Sequence, residues 1–207
     1  VGIIGALVAV LITEILNKFY ILIKDINFCR YTVSLTLVFG CIFAFISSGP
    51  FVASEVYKVD TAKLGLVFTP LALAFILFSA ITSKLISIRE SSSLFLIGLY
   101  IALLGGVALF LGTLIYPNII TLLFGAMIIA ASMGIVVPIG FTLAISNHPK
   151  IAGTASTLLG FIQASFSALF GYITVILYDN SAIPMSIVML VLTSFSLLAF
   201  IFIKKRT

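Results

Sequence analysis

Charge is what this sequence lacks first. Of 207 residues, eleven are Lys or Arg and six are Asp or Glu, 8% in all, where a soluble domain carries about 25%. So few charged side chains cannot cover a 22.2 kDa globule in water, and a soluble fold is excluded. Histidine occurs once and cysteine twice. Cys29 and Cys41 lack CxxC spacing, and Cys41 lies in an apolar run; neither a disulfide framework nor a metal site is expected. No nucleophile–base set appears, so no enzyme and no cofactor are expected.

What the chain has is apolar length. Hydrophobic residues make up 62% of it, and mean hydropathy is +1.36. A hydrocarbon core of about 30 Å takes roughly 20 apolar residues in a helix. Six stretches meet that length: 32–52, 64–83, 93–115, 119–145, 152–177 and 183–203. Strands are excluded, because a spanning strand needs only about 9–11 alternating residues. The prediction is an all-α, multi-pass six-helix transmembrane bundle over 32–207, facing the lipid bilayer. Ahead of it, 1–12 reads as an apolar stub, the end of a preceding span. In 13–31, Ile15, Leu16, Phe19, Leu22, Ile23 and Ile26 recur at helical spacing among polar residues, which predicts an amphipathic linker helix at the membrane surface. The chain opens on Val, which suits a piece of something longer, and shows no secretory signal.

The positions of the charges set an orientation. With Arg30 inside, nine basic residues (Lys18, Lys24, Arg30, Lys84, Arg89, Lys150, Lys204, Lys205 and Arg206) fall on the inner side, and Lys58 and Lys63 on the outer. Cytoplasmic loops carry such an excess, so both ends of the six-helix block are expected inside. The net charge of +5 is accounted for by topology, and nucleic acid is not expected as a partner. No ionisable side chain lies well inside a span; the proton relays that such groups mark are not expected here. His148, in an inner loop, reads as a solvated histidine.

Milder features occupy the spans. Gln163 is an amide deep in the fifth, able to meet a substrate or to hold a neighbouring helix. Ser156, Gly160, Ala164 and Ala168 recur every four residues, a smooth stripe for close helix approach, either within the block or against a second bundle. Gly49 and Pro50 close the first span, and Gly134 and Pro138 interrupt the fourth. These are the opening helices of two groups of three, and matched interruptions point to a transport pathway between inverted repeats. Phe39, Phe43 and Ser47 form a stripe on the first span, of the aromatic kind that lines a ligand cavity.

Two motifs carry a family resemblance. Phe43-Ala44-Phe45-Ile46-Ser47-Ser48-Gly49-Pro50-Phe51-Val52, followed by Glu55 and Tyr57, is one. Asn147-His148-Pro149-Lys150-Ile151-Ala152-Gly153-Thr154-Ala155-Ser156, followed by Leu159, Gly160 and Gln163, is the other. With Lys24-Asp25 and Phe28 ahead of them, they resemble the carboxy-terminal half, helices seven to twelve, of a major facilitator superfamily transporter of the Bcr/CflA drug:proton antiporter type. The resemblance implies two six-helix bundles around a central cavity, with the spans holding Phe43 and Met133 lining it. It also implies that the Ser156–Ala168 stripe faces the other bundle, and that the coupling carboxylates lie largely in an amino-terminal half. The loop 84–90 has two basic residues, fewer than the family tends to have.

The expected function is export of small amphipathic drugs or metabolites by proton antiport across a bacterial inner membrane. The carboxy terminus would be cytoplasmic, and the amino-terminal half would be fused or separate. Phe39, Phe43, Ser47, Met133 and Gln163 would form the substrate path, with Gly49, Pro50, Gly134 and Pro138 as flexing points. The alternatives are an inactive fragment of a split or decayed gene and a half-transporter that pairs with its own copy.

Overall fold

The computed structural model describes residues 2–203, the backbone alone over 2–12. The side chains of the apolar stretch 1–12, and the tail Lys204, Lys205 and Arg206, lie outside the described residues. Helix α1 runs Gly2–Lys24 without a break, and α2 begins at Ile26. There follow α3 (Leu64–Leu85), α4 (Ser91–Ile115), α5 (Ile119–Ile145), α6 (Ala152–Ile176) and α7 (Ile183–Phe202). No strand occurs among the described residues. From α2 on, these are six helices long and apolar enough to cross a membrane, so the expected bundle is present.

The first boundary differs from the sequence reading. Helix α1 ends at Lys24, short of residue 31, and the first apolar helix is longer than 32–52, covering Ile26–Val56. Asp25 is the cause. Its backbone is extended, and its carboxylate accepts from Asn27 N–H at 2.9 Å, capping α2 in the manner of an Asx residue. Arg30 stands in the second turn of α2 and is satisfied there. Its Nε donates to Phe200 O at 2.7 Å, and its guanidinium lies 3.7 Å from the Phe200 ring centre, an end-carbonyl and cation–π pairing at the finish of α7.

The proline and glycine interruptions do not end their helices. Helix α2 carries Pro50 (Ile26–Phe51) and continues into one π-helical turn, Val52–Val56. Proline has no N–H to give to the preceding turn, and the register widens beyond it; Tyr57 N–H reaches Val52 O at 3.1 Å. Helix α5 runs unbroken through Gly134 and Pro138.

Packing shows how two groups of three helices make one body. Helix α2 packs most extensively on α6, and α5 on α3 and α4; α7 packs on α2 and α4, and α2 meets α5 at the centre. Exchanging α2, α3, α4 for α5, α6, α7 maps this network onto itself. The middle helix of each group therefore packs mainly on the opening helix of the other, so the repeats interleave. Because α2 and α5 are separated by three crossings, they run in opposite directions, as inverted repeats require. Tyr31, Phe95 and Phe200 form an aromatic knot joining α2, α4 and α7, with centroids 5.1–5.6 Å apart. Thr113 to Ser186 (3.1 Å) and Ser196 to Ser34 O (2.7 Å) add hydrogen bonds between helices, each worth about 0.6 kcal/mol in lipid.

The two ends of the bundle differ in charge. From Lys24 on, Lys24, Arg30, Lys84, Arg89 and Lys150 share one end with Asp25 and Glu90. Glu55, Lys58, Asp60, Lys63 and Asp179 occupy the other. These are called the basic end and the far end below.

Candidate functional site: two grooves on either side of helix α2

Helix α3 packs against α5 but scarcely against α2, and a cleft of about 440 Å³ remains between them. Ile42, Phe45, Ile46 and Pro50 of α2 form one wall. Phe68, Leu71, Ala72 and Phe75 of α3 form the other, and Ala130 and Met133 of α5 close the back. The lining is apolar throughout, and Phe45 meets Phe68 edge to face at 5.3 Å. This volume is within the usual range for a small-molecule site. Gly134 sets its depth: a Cβ there would lie 2.6 Å from Phe75 O and 2.7 Å from Ser79 N, so only glycine lets α3 come this close to α5.

The residues singled out from the sequence do not converge on that cleft. Met133 is in its floor and Pro50 at its rim. Phe39 and Phe43 form a tilted pair, centroids 5.7 Å apart, and both are half-buried. Ser47 lies in a different groove, on the α6 side of α2. Gln163 is 7% exposed, and its Nε2 has no hydrogen-bond partner. It shares the inner face of α6 with Ser167 and Gly171, one and two turns on. Gly171 meets Phe43 O and Ser47 Oγ of α2, so the amide faces the α2–α6 seam. Thr32 and Thr36, on the α2 stripe that continues through Gly40 to Phe170 of α6, also keep hydroxyls without partners. Phe45, Phe68 and Phe75 were not foreseen. With nineteen Phe in the chain, composition alone could not separate these three from lipid-facing ones; the Phe-Thr-Pro sequence at 68–70 was the signal available.

On the α6 side, near the far end, a second groove of about 280 Å³ is lined by Ser47, Ser48, Phe51, Glu55, Val175 and Tyr178. Tyr178 Oη donates to Glu55 Oε2 at 3.1 Å. Desolvation and the Glu55 carboxylate, with Asp179 beside it, push the phenol above the usual tyrosine range.

The small-residue stripe is on the open side of α6. Ala164 and Ala168 are exposed, and a Cβ at Gly160 would meet nothing within 4 Å. Within this bundle the stripe is therefore not a packing surface. Helix α3 is also open, with Thr82 its one buried side chain. At the basic end, His148 is not free in solvent: its Nε2 lies 2.7 Å from Asp25 Oδ2, both side chains less than one-fifth exposed. The pair joins the start of α2 to the loop between α5 and α6.

A helical membrane bundle of two interleaved inverted repeats, with an apolar cleft beside its opening helices, is the class that this geometry defines. Comparison with known proteins points the same way. The chain is 29% identical over 185 residues, 89% of its length and 46% of the other protein's, to an uncharacterized MFS-type transporter, YdgK, of Bacillus subtilis. It is 24% identical over 192 residues, 93% of its length and 48% of the other's, to a bicyclomycin resistance protein homolog of Haemophilus influenzae. Neither name is that of an enzyme. The chain spans about half the length of these curated relatives, and no family model matches it.

Proposed function

We propose that this chain is the carboxy-terminal six-helix half of a transporter that exports small amphipathic molecules, drugs or metabolites, across a bacterial inner membrane by proton antiport. The observation that carries the reading is the apolar cleft of about 440 Å³ between α2, α3 and α5, within an inverted-repeat bundle. One relative is named a transporter and the other a resistance protein. The basic end faces the cytoplasm, and the carboxy terminus with it. Phe45, Phe68 and Met133 receive the apolar part of the substrate, beside Phe39, Phe43 and Ser47 of the same opening helix, and Gln163 supplies a polar contact. Gly49, Pro50, Gly134 and Pro138 let the opening helices adjust between states.

The open faces of α3 and α6, including Ser156, Gly160, Ala164 and Ala168, meet a six-helix amino-terminal half, fused or separate. That half supplies the coupling carboxylates. The test is to express the chain with the amino-terminal half of a relative and follow efflux of an amphipathic dye. Ala72→Trp fills the cleft from α3, where Ala72 is exposed and the fold tolerates bulk. Efflux should fall about tenfold or more at equal protein level, the loss of one well-filled subsite. Efflux unchanged by Ala72→Trp would overturn the assignment of the cleft.

A further inference from the structure

The far-end groove between α2 and α6 is not used by the apolar cleft, yet the two share a ridge. Ile46 and Pro50 face the cleft, while the adjoining Ser47 and Phe51 face the groove. The groove differs from the cleft in chemistry. Its lining includes a carboxylate, Glu55, together with the aromatic side chains of Phe51 and Tyr178, and no basic side chain. Ser48 also lines it; the residue is 2% exposed, and its buried hydroxyl has no hydrogen-bond partner. Tyr178 donates to one carboxylate oxygen, Oε2, and leaves the other without that partner. A carboxylate and aromatic rings lining one groove attract an organic cation twice over, by charge and by the ring faces. A bare metal ion would need more oxygen ligands than one carboxylate and three hydroxyls supply, and among the described residues no cluster of three His, Cys, Asp or Glu exists.

We infer that Glu55, Tyr178, Phe51 and Ser48 form a recognition site for the charged end of an amphipathic monovalent organic cation, next to the cleft that takes its apolar part. The inference deepens the transport reading and rests on it for the substrate's identity. The binding itself is measurable without transport.

The experiment uses the full chain in detergent micelles, with tetraphenylphosphonium as the cation and triphenylphosphine oxide as a neutral probe of similar shape. Glu55→Gln keeps the size of the side chain and removes its charge; Asp60→Asn does the same for another far-end carboxylate that lines no part of the groove. Glu55→Gln is expected to weaken tetraphenylphosphonium binding roughly tenfold, as loss of one charge contact does. Tyr178→Ala is expected to weaken it about threefold or more through the lost ring. Asp60→Asn should leave it within about twofold, as expected of a screened surface charge, and the neutral probe should bind wild type and Glu55→Gln alike. Equal cation binding by wild type and Glu55→Gln overturns the site, as does an equal loss in Asp60→Asn. Efflux is read on the same variants with the amino-terminal half present. Glu55-dependent binding without efflux of any probe upholds the site and removes the transport reading. Efflux of a neutral dye, together with cation binding indifferent to Glu55, overturns the site and leaves transport standing.

Discussion

Replacing Gly134 with alanine puts a methyl group where α5 and α3 touch backbone to backbone. The new Cβ would lie 2.6 Å from Phe75 O, 2.7 Å from Ser79 N and 3.0 Å from Phe78 Cβ. Ordinary contact starts near 3.4 Å, so α3 must retreat by about 0.8 Å in a close-packed seam. Two of the three neighbours are backbone atoms, which cannot turn aside as a side-chain tip does. Overpacking of this kind costs about 1–3 kcal/mol. Helix α3 has little else to hold it, since its packing in the bundle is chiefly on α5. Alanine also gains about 1 kcal/mol over glycine in a helix interior, and Gly160→Ala isolates that term, because its Cβ meets nothing within 4 Å. The assay is loss of helical circular dichroism on heating in detergent. Gly134→Ala should melt below wild type and Gly160→Ala at or slightly above it. Equal midpoints for the two variants would refute the close-approach argument. Impaired efflux at unchanged stability would instead assign Gly134 to flexing.

Two further outcomes are expected. Asp25→Ser keeps an oxygen to cap α2 and loses the His148 partner, whereas Asp25→Ala loses both; Asp25→Ala should be less stable than Asp25→Ser by about 1 kcal/mol. His148→Ala should match Asp25→Ser at a cost of about 0.2–1 kcal/mol, and the double variant should be no worse than either single one. Additive losses in thermal unfolding would show that the pair does not interact. Gln163→Leu removes an amide whose nitrogen has no partner in the α2–α6 seam, and a gain of about 1 kcal/mol is expected in denaturant unfolding. A loss of stability would mean that the amide holds α2 to α6 after all.

Most span boundaries were legible because they depend on a local property. The reading of 119–145 for the fourth span coincides with Ile119–Ile145, and the others from the second on agree within two residues. Where partners were not legible, a charge was involved. Arg30 reads as an interfacial residue because a charge in lipid is costly, and it stays at the basic end. The carbonyl and ring of Phe200 that accommodate it lie 170 residues away. His148 looked solvated for the same reason, its partner Asp25 being 123 residues distant. The Gly and Pro positions were visible, but their effect was not: Pro50 leads into a π turn, whereas Pro138 is absorbed within α5.

By itself the sequence determined that, among the described residues, six helices are long and apolar enough to cross a membrane, because hydrocarbon imposes length and apolarity on each helix separately. It also determined the charge difference between the two ends, which depends only on which loops alternate. Only the tertiary structure decided which side of each helix is covered. The spans are apolar nearly all round, so no amphipathic face marks the core side. Whether the Ser156 stripe is packed or open, which three of nineteen Phe line a cleft, and that Glu55 stands beside Tyr178 all depend on how the two repeats interleave. That arrangement is set by close contacts between distant segments, such as Gly134 on α3 and Gly171 on α2, and no local pattern in the chain encodes it.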